Sequence, residues 1–118
     1  MSKLQSWGKS ASIDLYGCNH GIVSSDKSIK DFISKLIPLL KMKAHGETII
    51  DRFGVGKLEG WSAMQFIETS SITVHADEVD NRCFIDIFSC KDFDADKAEK
   101  FSKTFFGSLR TKMVVLER

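Results

Sequence analysis

Between Glu68 and His75 the sequence reads ETSSITVH: three consecutive hydroxyls, Thr69, Ser70 and Ser71, then an alternating stretch that ends on a lone histidine. Ser62 precedes this run and Cys90 follows it. A serine hydroxyl is a weak nucleophile at neutral pH, so it attacks a carbonyl only where geometry favours it and neighbouring groups take its proton or stabilise the oxyanion. Histidine is the side chain suited to accept that proton near pH 7. Together these types could let a chain do chemistry on its own backbone. They could also be strand hydroxyls paired across a sheet, a satisfied core histidine, a turn serine and a buried thiol. The residues alone leave both readings open.

The surrounding pattern indicates what must position them. SASIDLYGC alternates and runs into Gly17, as a strand entering a turn does. In SDKSIKDFISKLIPLLKMK, residues Ile29, Phe32, Ile33, Leu36, Ile37 and Leu40 recur at helical spacing behind Ser25 or Asp26 as cap, and Pro38 must kink or shorten that helix. ETIIDRF reads as a short strand. GVGKLEG reads as a hairpin connection, since the phosphate-loop pattern G-x-x-x-x-G-K-[ST] is absent. WSAMQFIET, SITVHAD and RCFIDIFSC, dense in β-branched and aromatic residues, suit neighbouring antiparallel strands. DADKAEKFSKTFFG predicts a second helix capped by Asp94 and closed by Gly107, and LRTKMVVLER a last strand.

The order β-α-β-β followed by β-β-α-β predicts an α+β fold, a two-layer α/β sandwich with an antiparallel sheet and helices on one face. The other face of the sheet needs a cover, and a second subunit is the simplest one.

Composition bounds the function. The 118 residues form one domain, 1–118, large enough for a single core. Seventeen Lys and Arg against sixteen Asp and Glu leave a net charge of +1, which removes the electrostatic reason to expect nucleic acid or an anionic membrane as partner. MSKLQSWGKS has no apolar signal-peptide core and no apolar run reaches membrane-spanning length, so a cytoplasmic location is expected. Three cysteines, Cys18, Cys83 and Cys90, without C-x-x-C spacing argue against a disulfide framework or a zinc knuckle; no metal is expected.

From IDLYGC through WSAMQFIETSSITVH to IDIFSCKDFDADKA, the chain resembles the short prokaryotic S-adenosylmethionine decarboxylases, pyruvoyl-dependent enzymes of polyamine biosynthesis that cut themselves to make their cofactor. Ser62, Ser70, His75 and Cys90 occur at the separations where that family keeps its processing serine, cleaved serine, processing histidine and catalytic cysteine. The resemblance implies that Ser70 Oγ attacks the Thr69 carbonyl, that Ser62 steadies the intermediate, and that His75 assists β-elimination. A zymogen would thereby split between Thr69 and Ser70 into a β chain of 1–69 and an α chain whose first residue is a pyruvoyl group. That carbonyl would take substrate amines as a Schiff base and act as electron sink for CO2 loss, with Cys90 returning a proton. A homodimer of processed protomers is expected.

The resemblance also bears on the substrate. Where the family writes His-Thr-Trp-Pro-Glu, this chain has His75, Ala76, Asp77, Glu78 and Val79. Val79 cannot accept the ribose hydrogen bonds of the family glutamate, and Glu78, one step along a strand, points to the opposite face. Gly56 stands at the gap-free position of the family's stacking aromatic, with Phe53 before an apparent insertion. Asp77, on the His75 side of the strand, could pair with a distal ammonium or guanidinium. Phe53, Asp77 and Glu68 are thus the candidate substrate-binding residues. A basic amino acid, L-ornithine or L-arginine, is favoured over S-adenosylmethionine and spermidine synthesis. Thr69 and Ser71 depart from the family's usual residues, which keeps an uncleaved binding or regulatory homologue as the alternative of another class, beside an unrelated α/β binding domain.

Overall fold

The computed structural model of the protein describes residues 6–118, so the first half of the N-terminal stretch weighed above lies outside the described residues. Six strands form one antiparallel sheet: β1 (Lys9–Tyr16), β2 (Ile49–Phe53), β3 (Gly60–Ile67), β4 (Ser70–Asp77), β5 (Arg82–Ser89) and β6 (Arg110–Glu117), in spatial order β2-β3-β4-β5-β1-β6. Three helices, α1 (His20–Val23), α2 (Asp26–Leu39) and α3 (Ala95–Phe106), complete the fold. This is the expected α+β sandwich. The four-residue α1 was not foreseen; its Asn19 cap accepts the Ile22 N–H.

Alternation fixes the layers. Ile72, Val74 and Ala76 of β4, Cys83, Ile85 and Ile87 of β5, and Ala11, Ile13 and Leu15 of β1 all point into the helix layer and are buried. On α2, Ile29, Phe32, Ile33, Leu36 and Ile37 meet them, and Phe32 packs against Phe101, Phe105 and Phe106 of α3 with ring centroids 4.9–5.6 Å apart. Phe32 and Phe106 are fully buried, each burial contributing roughly 1.5–3 kcal/mol before the entropy cost is set against it.

The caps fall where the sequence puts them. Ser25 Oγ accepts the Ser28 N–H and Asp94 Oδ1 the Lys97 N–H. At the other end of α3 the left-handed Gly107 (φ 61°) lets the Ser108 N–H reach the Lys103 carbonyl. Pro38 shortens α2 rather than kinking it: it occupies the last turn and the helix stops at Leu39. The opposite face of the sheet presents Ser12, Asp86, Met64, Phe66, Val114 and Leu116 as exposed residues. No helix of the described residues is long and apolar enough to cross a membrane.

Candidate active site

Two clusters form at opposite ends of β4. The first is built on the β3–β4 hairpin, whose connection is only Glu68 and Thr69, so Ser70 enters the sheet directly between Ile67 of β3 and Ser89 of β5. Strand β5 ends beside this turn. There the Cys90 N–H donates to the Thr69 carbonyl at 3.0 Å, so the carbonyl that Ser70 would attack already rests on a backbone donor. Ser89 Oγ donates to Thr69 Oγ1 at 2.8 Å and accepts the Lys91 N–H at 3.0 Å. Glu68 is exposed, and its backbone N–H is held by the Lys43 carbonyl at 2.9 Å.

Cys90 is exposed here, whereas Cys18 and Cys83 are core residues. Burial raises the Cys18 thiol to about 11 and pushes Cys83 well above the usual thiol range, with the neighbouring Cys18 adding to the effect. Of the three, Cys90 alone sits where its thiol can meet another molecule.

The second cluster lies about five strand steps away. Ser62 and His75 are directly opposite each other in the β3–β4 register, and Ser62 Oγ lies 3.1 Å from His75 Nδ1. They line a cavity of about 310 Å³ together with Phe53, Asp77, Arg82 and Phe84. Phe53 reaches this cavity because β2 pairs with β3 and sets it opposite Gly60; the chain then turns sharply at Gly54 (φ 97°), where an added Cβ would meet the Leu58 carbonyl oxygen at 2.1 Å, and makes one 3-10 turn, Gly56–Leu58. The apparent insertion therefore folds back toward the site.

Two arginines, each paired with carboxylates, close this end. Asp77 is in register opposite Arg82, and Arg82 Nε and Nη2 both contact Asp77 Oδ2, at 2.7 and 2.6 Å. Arg52 Nη1 and Nη2 grip Glu78 at 2.5 and 3.0 Å while its Nε reaches Glu59 at 3.1 Å. The hydrogen bond to Asp77 holds the Arg82 guanidinium protonated above its ordinary range, and the bonds to Glu78 and then Glu59 do the same for Arg52. Asp77 does share the His75 side of β4 and does line the cavity, but it is not the open counter-ion expected for a basic substrate. Arg82 occupies it. Val79 is half exposed in the β4–β5 turn.

The expected constellation is therefore split within one chain. Thr69, Ser70, Cys90 and Glu68 gather at the hairpin end; Ser62, His75, Phe53 and Asp77 gather at the other. Five steps of extended strand separate Ser70 from His75 by about 17 Å, well beyond the reach of an imidazole. Sequence reasoning missed Arg52, Arg82 and Ser89. For Arg82 the signal was available, since the four residues EVDN between the two strands mark a turn that sets Asp77 opposite Arg82 once the hairpin is drawn.

A two-layer α+β sandwich with one sheet face that no helix covers among the described residues, a serine at a hairpin exit and an exposed cysteine beside it defines the class. Residues 9–118 match the family model for S-adenosylmethionine decarboxylase, and the chain belongs to that family, whose members are pyruvoyl-dependent decarboxylases. The fold is similar to the crystal structure of the adenosylmethionine decarboxylase from Aquifex aeolicus VF5, with a TM-score of 0.82 at 18% identity over 98% of this chain and 92% of that one. No curated protein matches the chain.

Proposed function

We propose that the chain is a self-processing, pyruvoyl-dependent amino-acid decarboxylase of polyamine synthesis in the cytoplasm, cut between Thr69 and Ser70. The observation that carries this reading is the 3.0 Å hydrogen bond from the Cys90 N–H to the Thr69 carbonyl. It polarises the one carbonyl that Ser70 Oγ must attack, and that oxygen gains charge as the new bond forms. Attack converts the Thr69–Ser70 amide into an ester. Loss of the Ser70 Cα proton then expels the Thr69 carboxylate, and water adds to the imine tautomer of the remaining dehydroalanine, releasing the Ser70 nitrogen as ammonia and leaving the pyruvoyl group. The residues present fit that group: a serine follows the polarised carbonyl directly, and an exposed thiol stands at the same turn to hold the proton returned to product. The pyruvoyl carbonyl supplies the electron sink for CO2 loss.

His75 and Ser62 of the same chain are too far from Ser70 to assist. A homodimer resolves this if the bare sheet faces meet, so that the hairpin end of one copy abuts the Ser62–His75 cavity of the other. A two-fold interface forms both sites at once. The exposed Met64, Phe66, Val114 and Leu116 on that face supply apolar surface for such a contact.

For the substrate, neither nucleoside handle of the family is available in ordinary form: Val79 is no acceptor and Glu78 is already gripped by Arg52. This supports a compact basic amino acid, L-ornithine or L-arginine, over S-adenosylmethionine, with Phe53 in the cavity, Asp77 binding the distal cation only by exchanging it for Arg82, and Glu68 at the hairpin end.

Intact mass after denaturation tests the processing: two fragments split before residue 70, the second beginning with a blocked pyruvoyl terminus, are expected. A single full-length mass under all conditions would leave the uncleaved binding homologue. CO2 release from labelled ornithine, arginine and S-adenosylmethionine then tests the substrate, and release from the last alone ends the basic-amino-acid reading.

A further inference from the structure

Ser89 is a fully buried polar residue that the decarboxylation chemistry does not use. It continues the inward row of β5, where Cys83, Ile85 and Ile87 are all apolar, so the pattern alone would put a hydrophobic side chain there. Burying a hydroxyl is unfavourable unless it is hydrogen-bonded, and this one is: it donates to Thr69 Oγ1 at 2.8 Å and accepts the Lys91 N–H at 3.0 Å. Thr69 is thus gripped twice from the end of β5, its side chain by Ser89 and its carbonyl by the Cys90 N–H at 3.0 Å. The two grips come from consecutive residues, so the Thr69 peptide plane cannot rotate without breaking one of them.

We propose that Ser89 is a positioning residue for self-cleavage, clasping the Thr69 hydroxyl so that the scissile carbonyl stays on the Cys90 N–H. This rests on the processing reading above. In the step concerned, a bond forms between Ser70 Oγ and the Thr69 carbonyl carbon, the bond from that carbon to the Ser70 nitrogen breaks, and the Oγ proton ends on that nitrogen. No other reactant takes part. The step needs the carbonyl carbon presented to Oγ while its oxygen keeps a donor that strengthens as charge develops, and a fixed peptide plane provides both before the reaction starts. Ser89 acts through Thr69 and touches no substrate.

The test is a pulse-chase of cell-free synthesised full-length chain, following the appearance of the 1–69 and 70–118 fragments. Ser89→Ala is expected to slow cleavage about tenfold, the scale of one lost positioning hydrogen bond. Ser89→Thr restores the hydroxyl and the rate. Thr69→Val, which keeps the shape of the side chain and removes only its hydroxyl, slows cleavage to the same degree, and the double variant is no slower than either single one because both break the same bond. The Thr69 arm keeps Ser89 in the core, so it reads out the clasp even if Ser89→Ala folds poorly. Cleavage of Thr69→Val at the wild-type rate, or additive losses in the double variant, would overturn the clasp. A wild-type chain that never cleaves would instead overturn the processing reading itself.

Discussion

Mixed dimers put the proposed division of the site between two chains to a quantitative test. Ser70 and His75 lie on one strand, β4, about 17 Å apart at roughly 3.4 Å per residue, and a histidine side chain spans less than half of that. Differently tagged Ser70→Ala and His75→Ala chains are co-expressed. Alone, each is expected to remain full length. Together, about half of the dimers are mixed if pairing is random, and each mixed dimer holds one complete site, joining Ser70 of the His75→Ala chain to His75 of the other. About half of the His75→Ala chains should then split, and none of the Ser70→Ala chains, which lack the hydroxyl. Tag-resolved intact mass gives both fractions directly. Full-length His75→Ala chain throughout the mixture, or cleavage of His75→Ala expressed alone, would refute a site assembled from two copies.

Three further outcomes follow from the side chains. Arg82→Gln frees the Asp77 carboxylate from the contacts at 2.6 and 2.7 Å and should lower KM for ornithine or arginine roughly tenfold or more at nearly constant kcat, a charge-assisted hydrogen bond being worth roughly 1.5–3 kcal/mol; an unchanged or higher KM removes Asp77 as the acceptor of the substrate's cation. Iodoacetamide at pH 8 should label native protein at Cys90 and spare the buried Cys18 and Cys83 until urea is added, as read by peptide mass spectrometry; equal labelling of all three in the native state contradicts the packing. Because burial raises folded Cys18 from an ordinary 9.0 to about 11, the native state keeps a proton that the unfolded chain gives up. That contribution is complete below the ordinary value of 9.0 and is lost as pH climbs toward 11, so the difference in urea midpoint between wild type and Cys18→Ala should shrink over that interval; a constant difference refutes it.

Much of the fold was written locally. The alternation of β1, β3, β4 and β5, the Ser25 and Asp94 caps and the Gly107 stop are each decided by neighbours within a turn or two, so the sequence carries them. Helix α1 was missed because four residues containing Gly21 carry no periodicity. In the candidate site, spacing on the family's pattern singled out Ser62, Ser70, His75 and Cys90, and the hairpin register does bring Ser62 to His75. That the two pairs stand at opposite ends of a strand depends on pairing partners rather than on residue types, and a period of two reports the face of a strand and not the distance along it. The same holds for Asp77, whose engagement by Arg82 depends on a cross-strand register.

Under the proposed cut before Ser70, strand β1 would belong to the first fragment, yet it is inserted between β5 and β6 of the second, while Phe32 of the first fragment would stack on the α3 aromatics of the second. The two pieces are woven like warp and weft. Neither can leave without stripping a strand from two neighbours at once, so the severed protein should dissociate only by unravelling entirely. Once unravelled, it must find its other half by collision, which makes recovery dependent on concentration where the uncut precursor recovers at any dilution.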